Sequence, residues 1–290
     1  MAQRSVDVAR SLREYERRIQ ALIRRSRVVR VEDVWRIRRE YSTFLREAVP
    51  FIAGQTGFGR AASEQLLRAL ALRIDEMSSR VIGIVREGVT AQVELAHRGL
   101  SSYRSAFTAG GSGLSSLSIS PTQMDAILNF SADLIGLRSG GLGAEMLRRV
   151  NSALRLAAMG VGNQQQSIAA INRALGGPAA WSYKAERIYV TETLRAHSIT
   201  TEQGIQDLNR RTPTGKKWMW SHIARQEHAA INGQVVAADE KFRVSVPATK
   251  GRGARVVLMR FPRDPAGPPE ATVFCGCYVV AVPMTLAAAA

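Results

Sequence analysis

Apolar residues in the first hundred positions recur at intervals of three and four, the spacing that places them on one side of an α-helix. Val8, Leu12, Tyr15, Ile19 and Leu22 form one such stripe, with Arg10, Arg13, Arg17, Arg18 and Arg24 off it, and predict a helix over residues 5–26. Val34, Ile37, Tyr41, Phe44 and Ala48 predict a second over about 32–53, with Pro50 as its end or a kink. Gly54, Gly57 and Gly59 mark the loop that follows. A third, long helix starts near Ser63, an N-cap type of residue, and carries Leu67, Leu70, Ile74, Met77, Val81 and Ile84. Stripes this narrow suit long helices packed on one another or on a partner.

The periodicity stops at residues 109–120, AGGSGLSSLSIS, where Gly and Ser dominate and no charge occurs. Helices resume over 121–137, 142–159 and 164–175, separated by Gly140-Gly141 and Gly160-Val161-Gly162, and a longer one covers 181–210. From Thr212 onward prolines and glycines cut the chain into short runs of β character at 217–222, 242–246, 255–261 and 272–282. The predicted class is α+β: a mostly helical N-terminal two-thirds with long helices and a small β-rich C-terminal domain. Three parts are expected. Residues 1–108 are a helical arm or bundle, docking a partner through Leu12, Ile19, Ile37, Leu70 and Ile74; 109–120 are a hinge; 121–290 are an α+β domain.

Charge adds a partner class. Forty basic against 24 acidic residues give +16, and the excess is spread as +6, +4 and +6 over residues 1–50, 51–177 and 178–290. A broadly positive surface points to a polyanion, most plainly nucleic acid gripped by phosphate contacts, against the plainer view that arginines solvate helix faces. No run approaches about 18 apolar residues, so no membrane partner is expected. Charges interrupt the N-terminus where a secretion signal needs an apolar stretch. Two cysteines, Cys275 and Cys277, are too few for a disulfide framework, which points to a reducing cytoplasm.

No phosphate-binding glycine loop, nucleophile elbow or zincin helix occurs, so no catalytic residue is assigned. What remains is a constellation near the C-terminus: Arg225 and His228 after Trp218 and Trp220, a tight turn at Asn232-Gly233, and Cys275 and Cys277 on one face of a strand. Three readings fit these residues. The cysteines are small core hydrophobes with a hydrogen-bonded structural His228; or Cys275, Cys277 and His228, with a fourth ligand such as His222, hold zinc; or a Cys–His pair is nucleophilic. His97 and His197 read as surface or boundary positions on helices.

The ordered string as a whole is more specific than its parts. It runs from Val190-Thr191-Glu192-Thr193 and Lys217-Trp218 through WSHIARQEHAAINGQ at 220–234 and Asp239-Glu240-Lys241-Phe242 to FPRDPAGPP at 261–269 and FCGCYV at 274–279. Over roughly residues 120–282 this resembles the phage Mu F-like family of minor head proteins, also called phage head morphogenesis proteins. Thr191, Glu192, Trp218, Arg225, His228, Gly233, Phe242, Asp264, Pro265, Cys275 and Cys277 fall on the family's pattern, while Phe274 and Gly276 stand where the family has Asn and Arg.

The resemblance implies a non-enzymatic component of a tailed-phage head, made in the bacterial cytoplasm and carried in the virion at the portal vertex. Implied partners are the portal protein, packaged double-stranded DNA, and further copies of itself or capsid and scaffold proteins. Implied roles are head assembly, genome packaging and ejection, with no cofactor unless zinc occupies the His–Cys–Cys set. The alternative is an intracellular nucleic-acid-binding protein or nuclease-like effector that never enters a particle.

Overall fold

A computed structural model describes residues 2–107, 121–221, 226–249 and 251–284. The expected hinge at 109–120, and with it His222 and Arg225, lie outside the described residues. The helices are α1 (Ala2–Ala53), α2 (Arg60–Phe107), α3 (Pro121–Ile135), α4 (Leu142–Ala158), α5 (Gln164–Leu175) and α6 (Pro178–Asn209). Then come β1 (Thr214–Met219), a 3₁₀ segment (Gln226–Ile231), β2 (Val235–Ala237), β3 (Phe242–Val246), β4 (Arg255–Met259), the one-turn α7 (Pro269–Thr272) and β5 (Tyr278–Pro283). The class is α+β, with long N-terminal helices and a small C-terminal region that holds the strands. No described helix is long and apolar enough to cross a membrane.

Helix α1 is one element where two were expected. Residues 27–31 contain no Gly or Pro to stop it, and its buried face runs from Ile19 through Ser26, Arg30 and Asp33 to Ile37. Those three polar residues hide the stripe from a reading based on apolar spacing. Each has partners that make its burial tolerable: Ser26 Oγ donates to Gln92 Oε1 at 2.7 Å, Arg30 to Tyr278 Oη at 3.1 Å, and Asp33 accepts from Tyr189 Oη at 2.6 Å.

The chain forms two compact units that interleave segments rather than follow sequence order. One comprises Val31–Glu87 and Ala126–Tyr189. Within it α1 and α2 run antiparallel, as the ion pairs Arg36–Glu87 (2.7 Å), Arg80–Glu40 (2.6 Å) and Arg73–Glu47 (3.7 Å) show by their opposed numbering. Helix α5 begins and ends where its flanking residues dictate. Asn163 and Gln166 form a reciprocal capping box, and Gly176 at φ +73° ends the helix beneath the Trp181 indole, which donates to Leu175 O.

The other unit comprises Met1–Arg30, Gly88–Asp125 and Val190–Ala290. Two small antiparallel sheets, β2-β1-β5 and β3-β4, pack with the helices over a core that includes Tyr15, Leu100, Tyr103, Ile205, Trp218, Phe242 and Val279. Register is set by Gly215↔Val282 and Trp218↔Val279 between β1 and β5, and by Val244↔Val257 between β3 and β4. Strand β3 alternates as expected, with Phe242, Val244 and Val246 buried and Arg243 and Ser245 exposed. In helix α6 nearly every residue from Val190 to Ser198 is buried, so this stretch has no solvent face to alternate against.

Four of the five residues expected to dock a partner have their side chains described, and all four are covered by this chain. Ile37, Leu70 and Ile74 are fully buried and Ile19 nearly so. Their stripes complete the protein's own cores, the commoner outcome for an amphipathic helix that has a neighbour. The side chain of Leu12 lies outside the described residues.

Candidate functional site

The residues singled out at the C-terminal end meet inside one unit. His228 is carried by the 3₁₀ segment, and Gly233 follows it at φ +81°, a conformation glycine adopts without strain. Gly233 N–H donates to Trp218 O at 2.8 Å, and this bond brings the segment back against β1. There the Trp218 ring meets the His228 ring edge-on at 5.6 Å and the Phe242 ring at 5.1 Å. His228, Trp218 and Phe242 are all buried.

Cys275 and Cys277 do not lie on a strand, contrary to expectation; β5 begins only at Tyr278. Pro269 at the first helical position starts α7, Phe274 takes φ +58°, and the carbonyls of both cysteines are diverted from any ladder. The diversion is made by Arg263, whose Nη1 donates to Cys275 O at 2.6 Å and Cys277 O at 2.7 Å. Its Nη2 donates to Ser198 Oγ on α6 at 2.6 Å. Arg263 is fully buried and itself sits at φ +65°, held there by the three bonds. Burial pulls its pKa below the ordinary guanidinium value.

Both sulfurs converge on one nitrogen. Cys275 Sγ lies 3.3 Å and Cys277 Sγ 3.7 Å from His228 Nδ1, and all three residues are buried. The two thiols titrate together. A proton donated from Cys277, aided by His228 and by the Arg263 charge, holds Cys275 well below an ordinary thiol. The same shared proton, together with burial, holds Cys277 above it.

The remaining motif residues support this loop. Thr191 Oγ1 accepts from Phe274 N–H at 2.9 Å, and Glu192 takes a two-pronged bond from Arg195 Nη1 at 2.7 Å to each oxygen. Burial holds the Glu192 carboxyl above its usual range, against the pull of Arg195. Asp264 closes the turn after β4, accepting from Arg260 N–H at 2.9 Å and Ala266 N–H at 3.1 Å. Burial opposes its charge, but these amides and the Arg260 guanidinium outweigh it and hold the carboxyl below its usual range. Pro265 stands exposed on that turn.

Arg263, Ser198 and the buried pair Lys216–Glu202 were not singled out by the sequence reading. For Arg263 the signal was present, since it stands between Pro262 and Asp264 inside the string. Lys216 lies outside the run predicted at 217–222 and carries no local sign of burial; β1 begins at Thr214, and the lysine is enclosed with its partner Glu202.

His197 is a second correction: it is buried, edge-on to the Tyr278 ring at 5.4 Å, where a boundary position was expected. Burial, with the positive charges of Arg263 and Arg30, lowers its pKa to about 3. The unfolded chain takes up a proton below about pH 6.5 and the folded one does not, so stability present above that pH is lost as pH falls toward 3. From this histidine alone the expected loss at pH 5 is about 2 kcal/mol. Urea unfolding of wild type and His197→Phe at pH 7 and pH 5 checks it; an equal pH effect in both would show that His197 is not the source.

No family model matches the chain, and no match is found among curated proteins or solved structures.

Proposed function

We propose that the protein is a structural, non-enzymatic minor head protein of a tailed phage, associated with the portal inside the head and acting in assembly and genome packaging or ejection. One observation carries the reading. The string that resembles the Mu F-like family spans Thr191 to Cys277, and within it Trp218, His228, Phe242, Cys275 and Cys277 are buried against one another, with Thr191 bonded to the Phe274 amide beside them. Their common task is holding a fold, as a shared structural pattern requires.

The charge is consistent with this role. Arg13, Arg17, Arg24, Arg25 and Arg27 of α1 are exposed, and arginines so placed grip phosphates without reading sequence. With the four described residues of the expected docking stripe buried, the apolar residues of α1 that face solvent include Val31 and Trp35, the latter beneath the Arg38 guanidinium. A portal contact is assigned to that face.

Quantitative mass spectrometry of particles from the phage or prophage encoding the chain, with and without external protease, tests the proposal. Low copy number relative to the major capsid protein, with protection from protease, is expected. Absence from particles sinks it and favours a nucleic-acid-binding protein of the host cell, whose affinity would fall steeply with salt.

A further inference from the structure

We infer that His228, Cys275 and Cys277 bind one zinc ion, which clamps the 3₁₀ segment to the loop before β5. One imidazole nitrogen offers a single proton or a single lone pair, so it satisfies one sulfur at a time. Yet two sulfurs are brought to the same Nδ1, at 3.3 and 3.7 Å, in a place without solvent. A cation at their meeting point satisfies all three donors together.

The distances fit. With zinc–sulfur bonds of about 2.3 Å and zinc–nitrogen bonds of about 2.05 Å, tetrahedral geometry separates sulfur from nitrogen by about 3.6 Å. The observed values bracket that separation, and the three donor atoms lie within 4.8 Å of one another. Zinc is the ion for two thiolates and an imidazole, since harder cations prefer oxygen. A zinc ion with two thiolates and a neutral imidazole carries no net charge, so it can be enclosed beside the Arg263 guanidinium at less cost than a bare thiolate–imidazolium pair.

The surroundings are built for ligation. Arg263 fixes the backbone on both sides of Gly276 through the two cysteine carbonyls, which sets the bite of the Cys-x-Cys pair. Trp218 packs on the histidine ring and fixes its plane. Among the described residues no further His, Cys, Asp or Glu joins the group. The three donors among the described residues leave one of the four tetrahedral positions to a further ligand. The inference does not depend on the phage reading, because it concerns the purified chain alone.

Elemental analysis of the full chain, purified without chelator from zinc-supplemented cells, should find about one zinc per molecule, the stoichiometry of a single site. The two thiols should react with a chromogenic disulfide reagent at least about tenfold faster once a chelator is added, since zinc competes for the thiolate. Cobalt substitution should give a sulfur-to-metal charge-transfer band. His228→Cys, which keeps a soft donor, should retain zinc, and His228→Asn should lose it while circular dichroism reports whether each variant folds. Folded wild-type protein with no zinc, with another metal in its place, or with Cys275 and Cys277 joined as a disulfide would overturn the inference, whatever the variants do.

Discussion

Replacing Arg263 by alanine is expected to destabilise the unit that holds the strands by about 3–5 kcal/mol. The guanidinium is fully buried and supplies the donors for Cys275 O, Cys277 O and Ser198 Oγ. Each buried acceptor left without a donor costs about 1–3 kcal/mol, partly offset because the desolvated charge disappears too. Arg263→Lys should recover less than half of the loss. Its ammonium is a point donor and cannot span two carbonyls and a hydroxyl as the planar fork does. The exposed Arg243→Ala on β3 is the control and should change stability by no more than about 0.5 kcal/mol. Urea unfolding at pH 7 measures all three. A loss below about 1 kcal/mol for Arg263→Ala would mean that the loop before β5 is held by something else.

The second large effect is expected at Lys216. Its Nζ lies 2.9 Å from Glu202 Oε1 and 5.8 Å from the centre of the Phe242 ring, and the lysine side chain is entirely enclosed. Burial already holds the Glu202 carboxyl above its usual range, and the lysine partly counters that. Lys216→Met therefore strands a buried carboxylate and should cost about 3–5 kcal/mol at pH 7. The double variant Lys216→Met with Glu202→Leu should recover most of it, because exchanging a buried pair for apolar residues is often neutral or better. The sign of the pH effect is also set. In the single variant the folded state binds a proton on Glu202 more tightly than the unfolded state does. Its deficit relative to wild type should shrink as pH falls toward the ordinary glutamate value and grow as pH rises. A deficit that is the same at pH 5 and pH 8 would show that Glu202 is not the group left exposed to the loss.

Both residues illustrate what spacing along a chain reveals and what it hides. Helix α5 was legible to the residue, because Asn163 and Gly176 state its ends in local chemistry. Strand β3 was legible because one of its faces is wet and the other dry. Helix α1 was read as two because Ser26, Arg30 and Asp33 occupy its buried face, and polarity at those positions makes sense only once Gln92, Tyr278 and Tyr189 are seen opposite them. The segment at 272–282 was read as one strand because Cys275, Cys277 and Val279 alternate correctly; a buried guanidinium from residue 263 takes the carbonyls that a strand would have used.

The sequence by itself determined the class, most helix limits, the basic charge and the gathering of unusual residues near the C-terminus. These follow from interactions between residues a few positions apart, which the chain carries wherever it goes. Tertiary structure alone decided that the long stripes are covered from within, that α6 is buried all round from Val190 to Ser198, that Lys216, His197 and Arg263 are enclosed, and that two sulfurs share one imidazole nitrogen. Burial of a polar group is tolerated at least cost with its partner in place, and the partners of Arg263, Lys216 and the two sulfurs stand from 12 to 65 positions away.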